Sequence, residues 1–320
     1  MSEPSDHAAL FAWVTAALGG TVAATEQVQE LWSGFGSILR LRLDGAARAS
    51  VIVKHVAPPT AMRHPRGWAG RTSHERKLRS YEVERAFYAE REPIPAHRTA
   101  RCYAAERTDR GFRFLLEDLD AAGYPGRRAE LSDHERRMCL RWLASFHAAH
   151  LGVAPRELWE RGTYWHLATR QDELAEMRDE QLRAAAAPLD AALRGCSYQT
   201  IVHGDAKAAN FCFGDDDVAA VDFQYVGGGC GIQDVAYFLS SCLDDGACER
   251  HAGRHLNEYF GALREYLAGA VDGDAVEREW RALYPAAWAD FHRFLNGWAP
   301  DHWKIHRYTR EMTRQALAQL

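Results

Sequence analysis

The stretch Ile201-Val202-His203-Gly204-Asp205-Ala206-Lys207-Ala208-Ala209-Asn210, followed a little later by Val221-Asp222-Phe223-Gln224, decides how the rest of the chain is read. Two short apolar runs, residues 198–202 and 218–221, have the length and composition of buried strands. An acid, a lysine and an amide therefore sit just beyond one strand, and a second acid sits at the end of the next. Phosphoryl transfer needs such a set. One carboxylate accepts the proton of an attacking hydroxyl, while an amide oxygen and another carboxylate hold magnesium against nucleotide phosphates. Asp-x-x-x-x-Asn supplies Asp205 and Asn210 from one tight loop, and Asp222 comes from the neighbouring loop. Either acid alone would read as an ordinary loop residue, with an Asx-turn at Asn210 and a structural Asp222. The combination argues for a site.

Upstream, an alanine-rich helix is expected from His7 to Leu18, stopped by Gly19-Gly20. The segment containing Gly34, Gly36 and Ser37 leads into an alternating strand over residues 38–43, which turns at Asp44-Gly45 into a second strand over residues 49–54. This reads as a hairpin with a glycine-rich lead-in. Glycines there let backbone amides approach phosphates closely, although Gly-x-Gly by itself is an ordinary turn. Their position ahead of a hairpin whose second strand ends in Lys54 gives them weight.

Residues 55–72, rich in Pro, Gly, His and Arg, read as a loop or insertion. A helix should then start, with Thr72 and Glu75 spaced as a capping box. On it Tyr81, Glu84 and Tyr88 fall at i, i+3 and i+7 and share a face. A carboxylate between two aromatics on a buried face needs a cation, because an unpaired buried charge is costly. Lys54 is the candidate, giving the lysine–glutamate pair that positions nucleotide phosphates in kinase-type folds. The alternatives are a surface Glu84 paired with Arg85 or Lys77, or Glu82 as the partner, although Glu82 points to the other side of the helix.

Residues 112–119 form a strongly apolar strand ending in acids. Ser132 and Glu135 make a second capping box, opening a helix whose stripe Cys139, Trp142, Leu143 and Phe146 is core; His147 and His150 are expected to cap and pack. Further helical segments are expected from Tyr164 to about Leu193. Gly227 to Gly231 reads as a flexible loop rather than a dinucleotide fingerprint, because it follows an acid-bearing strand. Asp234 suits an N-cap. The remainder is helical and aromatic, with Trp280, Trp288, Trp298, Trp303, Tyr259, Tyr266 and Phe291 as core candidates.

Bulk properties bound the reading. A chain of 320 residues suits two domains and, at 47% hydrophobic, builds a sizeable core. A net charge of −5 and a pI near 6.3 leave no electrostatic footprint for nucleic acid. No apolar run is long enough for a transmembrane helix, and residues 1–7 lack the pattern of a signal peptide. The seven cysteines form no Cys-x-x-Cys pair. They read as reduced thiols of a cytoplasmic protein, without a structural zinc site.

With His203-Gly204-Asp205, Val221-Asp222-Phe223-Gln224, and Ser80-Tyr81-Glu82-Val83-Glu84 before Phe87-Tyr88, the chain resembles the aminoglycoside phosphotransferase and choline kinase superfamily over roughly residues 28–300. It looks closest to the ecdysteroid-kinase-like and choline-kinase-like branches. The resemblance implies an α+β, bilobal protein-kinase-like fold: a small antiparallel-sheet lobe, residues 1–119, that binds nucleotide, and a mainly helical lobe, residues 120–320, for catalysis and the acceptor. It implies ATP and Mg2+, Asp205 as catalytic base, Asn210 and Asp222 as metal ligands, and a hinge near Glu117 to Leu119 whose backbone binds the adenine edge. Two positions stand apart. Gln224 replaces the acid or glycine of some relatives. Lys207 gives the Asp-x-Lys-x-x-Asn of protein kinases, where it either reaches the transferring phosphate or is a solvated loop lysine.

The expected activity is ATP-dependent phosphorylation of a hydroxyl on a small-molecule alcohol. An amphiphilic or aromatic acceptor is preferred to a polycationic aminoglycoside, because the C-terminal half mixes both charge signs with many tryptophans. The alternatives are a protein kinase, against which stands the lack of Asp-Phe-Gly and Ala-Pro-Glu elements, and a nucleotide-binding pseudokinase, which should lack one of Lys54, Glu84, Asp205, Asn210 or Asp222.

Overall fold

Buried apolar residues recurring along segments 36–44, 50–56 and 111–117 build the core of the sheet that carries Lys54. In the computed structural model, which describes residues 4–58, 71–89 and 93–320, the helix α1 (Pro4–Leu18) is followed by strands β1 (Thr21–Glu30), β2 (Gly36–Asp44) and β3 (Ser50–Val56). Helix α2 (Arg71–Ala89) comes next. The short strand β4 (Arg98–Thr99) falls where the chain passes between its two compact units, and β5 (Cys102–Thr108) and β6 (Gly111–Glu117) complete the sheet. One unit is Met1–Pro93 with Thr99–Pro125, the other Ile94–Arg98 with Gly126–Leu320.

The first unit is a five-stranded antiparallel sheet in the order β1-β2-β3-β6-β5. Because side chains alternate across a strand, the sheet has two different faces. One carries Leu39, Leu41, Leu43, Val51, Val53 and Leu115, packed on Leu10 and Val14 of α1. The other carries Lys54 beside Phe114 and meets α2, where Tyr81 lies against Phe112 and Tyr88 against Phe114. Tyr81, Glu84 and Tyr88 are all buried, as the i, i+3, i+7 spacing implies. The Thr72 side chain of the expected capping box, and residues 59–70 of the expected loop, lie outside the described residues; β3 itself runs on to Val56, into the segment read as loop.

The second unit is mainly helical: α3 (Asp133–Ala149), α4 (Gln171–Ala175), α5 (Glu180–Ala184), α6 (Ala186–Arg194), α7 (Ile232–Cys242), α8 (Asp245–Leu267), α9 (Gly273–Trp298) and α10 (Arg307–Leu317). Its short strands pair as β7 (Thr200–Val202) with β10 (Gly227–Gly229), and β8 (Phe211–Phe213) with β9 (Val218–Ala220). The Ser132–Glu135 capping box forms in both directions, and the stripe Cys139, Trp142, Leu143 and Phe146 is buried. The helical segments expected over residues 164–193 are a 3₁₀ turn and the three short helices α4, α5 and α6. Among the core candidates Trp280, Trp288, Tyr259 and Phe291 are buried and Trp298 and Tyr266 half-buried, but Trp303 is 60% exposed. No helix among the described residues is long and apolar enough to cross a membrane.

Gly227 to Gly231 is not the flexible loop its composition suggests. Gly227–Gly229 is a buried strand, and a Cβ at Gly227 would lie 2.3 Å from Trp159 O. The run is glycine because residues 159–162 cross directly over it, and side chains would force the two backbones apart.

Candidate functional site

In the first unit the glycine-bearing segment is the turn from β1 to β2, not a lead-in to the β2–β3 hairpin alone. A 3₁₀ turn at Trp32–Gly34 reverses the chain, with Ser33 and Gly34 left-handed at φ 58° and 71°. Leu31 N donates to Gly36 O across it at 2.8 Å. Gly36 has φ 129°, and a Cβ there would stand 2.0 Å from His55 O, so only glycine fits. Ser37 lies in β2 opposite His55.

Lys54, on β3, reaches Glu84 of α2. Its Nζ is 2.9 Å from Oε1 and 2.7 Å from Oε2, and the two residues are 5% and 1% exposed. The ammonium also lies 5.5 Å from the centroid of the Tyr81 ring. Glu82 turns the other way, towards Arg85 and Arg107 at 3.1 and 2.9 Å. Of the two candidate acids, the geometry selects Glu84.

Glu117 and Leu119 flank a residue that the sequence reading passed over. Glu117 pairs with Arg101 through its backbone N and its carboxylate, and the buried Leu119 accepts Tyr124 N through its carbonyl. Between them, Asp118 accepts Arg40 Nε at 2.9 Å and Ser50 Oγ at 2.7 Å. Burial pushes its carboxyl upward, but these donors and the Arg40 charge hold it below its ordinary value. Asp118 thereby ties the end of β6 to β2 and β3.

In the second unit, β7 delivers its chain to a loop of fixed shape. Gly204 has φ 80°, and a Cβ there would meet Tyr225 O at 2.1 Å and Thr163 N at 2.6 Å. His203 Nε2 donates to Val221 O at 3.1 Å, which leaves Nδ1 to accept Asp205 N at 3.2 Å; the ring also packs on Phe223, centroids 4.7 Å apart. Asp234, expected as an N-cap, lies in the first turn of α7 after the N-cap residue Gly231. Its carboxylate accepts the amides of His203 and Gly204 at 2.6 and 2.9 Å, and His147 Nε2 at 3.1 Å. His147 also meets Tyr259 OH at 2.8 Å, so it braces Asp234 as well as packing, while His150 is the helix C-cap.

Asp205 is 6% exposed and has donors on both oxygens. Tyr237 OH donates to Oδ1 at 3.0 Å; Lys207 Nζ and Asn210 Nδ2 donate to Oδ2 at 2.9 and 3.0 Å. Burial raises its pKa, with Asp222 adding to the rise and Lys207 and His203 opposing it. Lys207 is raised because the charge and hydrogen bond of Asp205 outweigh its own burial. The structure thus brings Asp205, Lys207 and Asn210 into one cluster. Tyr237, one turn beyond Asp234 on α7, was missed because neither local spacing nor composition ties it to a loop thirty-two positions upstream.

Asn210 spends its amide N–H groups on Asp205 O and Oδ2, so its Oδ1 is the atom of the amide that could hold a metal. Asp222 is left-handed, φ 69°, a strained conformation for a non-glycine residue, and its Oδ1 accepts Gln224 Nε2 at 2.6 Å. Magnesium binds through one or two carboxylates together with substrate phosphates and water. One amide oxygen and one oriented carboxylate fit that requirement, and among the described residues no cluster of three His, Cys, Asp or Glu offers a full protein cage.

Residues 162–270, which include this whole cluster, match the ecdysteroid kinase-like family. No curated protein matches the chain in sequence. Choline kinase LicA from Streptococcus pneumoniae shares 13% identity and superposes with a TM-score of 0.54, covering 99% of this chain and 100% of that one. Aminoglycoside phosphotransferase APH(3'')-Id from Streptomyces rimosus shares 19% identity at a TM-score of 0.47, over 88% of this chain and 98% of that one. The LicA superposition bears out the kinase-like α+β fold. The family match falls on the block that carries the resemblance to the choline kinase and aminoglycoside phosphotransferase superfamily, and bears out its ecdysteroid-kinase-like branch.

Proposed function

We propose that the protein is an ATP- and Mg2+-dependent phosphotransferase acting on a hydroxyl of a small-molecule alcohol in the cytoplasm. The observation that carries this reading is the Asp205 carboxylate, held on both oxygens by Tyr237, Lys207 and Asn210 and raised by burial. A base for an alcohol must be aimed and must not be over-stabilised as an anion. Fixed donors provide the first condition and burial the second.

In the reaction the acceptor hydroxyl gives its proton to Asp205 as its oxygen attacks the γ-phosphorus of ATP. The bond from that phosphorus to the bridging oxygen breaks, and ADP leaves with the bond's electron pair. Lys207 carries positive charge beside the reacting oxygens. Asn210 Oδ1 and the Asp222 carboxylate would hold magnesium, which neutralises phosphate charge. Lys54, steadied by Glu84, is assigned to the nucleotide phosphates, the Gly34–Ser37 turn to their backbone contacts, and the backbone of Glu117 and Leu119 to the base.

Two measurements test the reading. A thermal shift by ATP that requires magnesium would support nucleotide binding, and ADP formation across an alcohol library would identify an enzyme. Nucleotide binding without turnover on any alcohol, peptide substrates included as controls, would make the protein a pseudokinase and overturn the proposal.

A further inference from the structure

The last aromatic segment of the second unit contains a lysine that the proposed mechanism does not use. Lys304, in the loop between α9 and α10, is 8% exposed. Its Nζ lies 4.7 Å from the Tyr237 ring centroid, 5.4 Å from that of Phe291 and 5.6 Å from that of Trp303. Its single hydrogen bond, to Ser240 Oγ, is long at 3.4 Å. Among the described residues no carboxylate comes within ion-pair distance of it. A buried ammonium with three donors and one weak acceptor is costly unless something else completes its shell.

The surroundings indicate what does so. Tyr237, whose ring carries the ammonium, is the residue whose hydroxyl donates to Asp205, so a single side chain links Lys304 to the proposed base. The surroundings are aromatic: Trp165, Phe291 and Phe294 are buried with Tyr237, the half-buried Tyr164 and Trp298 pack against them, and the exposed Trp303 lies beside the ammonium. Its acids are already neutralised within the chain, Glu173 by Arg170 at 2.8 Å and Asp290 by Arg293 at 2.9 Å. The position over Tyr237 and Phe291 that would attract a cationic ligand is filled by the protein's own ammonium. Burial lowers the Lys304 pKa to about 8, against the opposing pull of Asp205, so the group remains largely cationic at neutral pH.

We infer that Lys304 selects the acceptor: an alcohol with an apolar or aromatic body and a small anionic group, a carboxylate or its equivalent, that pairs with the Lys304 ammonium while the hydroxyl faces Asp205. The inference rests on the phosphotransfer reading above and narrows its substrate class. Cationic alcohols are rejected by like charge, and neutral ones lack the ion pair.

The test uses one scaffold at three charges: 4-(hydroxymethyl)benzoate, 1,4-benzenedimethanol and 4-(aminomethyl)benzyl alcohol. ADP formation is measured for each, and binding of each, and of benzoate alone, is followed by tryptophan fluorescence at constant ionic strength. Wild-type protein should favour the carboxylate over the ammonium compound by about a hundredfold in kcat/KM and over the neutral one by about tenfold. Lys304→Met should erase the preference mainly through KM and weaken benzoate at least tenfold; Lys304→Glu should turn the preference towards the ammonium compound. The Met variant should also melt no lower than wild type, since an unpaired buried charge is replaced by an apolar side chain of similar length. Equal loss of kcat on all three alcohols would reassign Lys304 to the transferring phosphate and overturn the inference. Turnover indifferent to acceptor charge would overturn it while leaving phosphotransfer intact. Charge-selective, Lys304-dependent binding without any turnover would uphold the anion site and remove the phosphotransfer reading instead.

Discussion

Lys54 and Glu84, thirty positions apart in sequence, close a two-point ion pair at 2.9 and 2.7 Å inside the first unit. Removing one member leaves the other charged and buried, whereas removing both leaves only a packing change. Lys54→Met or Glu84→Leu alone should each cost about 3–5 kcal/mol in urea unfolding, and the double variant should recover most of that loss. Turnover should behave differently. Both single variants should lower kcat/KM for ATP, and the double should be little worse than the worse single, because each removes the same positioning contact. Additive stability losses would break the pairing, and restored turnover in the double variant would break the assignment to nucleotide phosphates.

Asp205→Asn should reduce kcat by about 10²–10⁴-fold with nucleotide affinity nearly unchanged. Tyr237→Phe keeps the ring and removes the donor to Oδ1. A hydrogen bond to the ionised form favours that form, so its loss raises the Asp205 pKa further. The acid limb of the kcat/KM profile should therefore move to higher pH in Tyr237→Phe, with a smaller fall in rate than in Asp205→Asn. An unshifted profile would show that Tyr237 only packs; wild-type turnover in folded Asp205→Asn would remove Asp205 as the base.

For the metal the expected order follows charge. Asp222→Ala deletes an anionic ligand and Asn210→Ala a neutral one, so the first should weaken magnesium-dependent nucleotide binding more. Gln224→Leu frees Asp222 Oδ1 from the donor that orients it and should cost a few-fold, between wild type and Asp222→Ala. Calorimetric titration of nucleotide at several magnesium concentrations ranks the three. No change in Asp222→Ala would end the assignment.

The parts of the fold legible in the sequence are those whose physics is local. The Asp205–Asn210 loop, the buried face Tyr81–Glu84–Tyr88 and the Ser132–Glu135 cap each follow from spacing along a few residues. Strand β1 was missed because it is a sheet edge with nearly every residue exposed, so no apolar alternation marks it. The Gly227–Gly229 strand was missed because composition reports freedom, while the crossing chain at residues 159–162 decides the structure. Asp234 shows the same limit: a helix start was readable, but its partners are loop amides thirty positions away. Trp303 read as core from its size alone, yet it is exposed beside Lys304.

Two buried histidines make the protein sensitive to mild acid. His97, against Ser145, Trp142 and Phe146, and His292, against Thr313, are each lowered from 6.5 to about 4, chiefly by burial. The folded state then binds fewer protons than the unfolded state between those values, so stability is fully present above pH 6.5 and is lost as pH falls towards 4. Each histidine is worth up to about 3 kcal/mol across that window. Asp205, raised by burial, acts in the opposite sense and offsets part of the loss. Urea unfolding from pH 7 to 4.5 should show stability falling with acid, and His97→Gln, which keeps a polar group near Ser145 but does not titrate, should flatten the fall by the share that His97 contributes. A parallel curve for His97→Gln would mean that His97 is protonated in the folded protein, contrary to its buried setting.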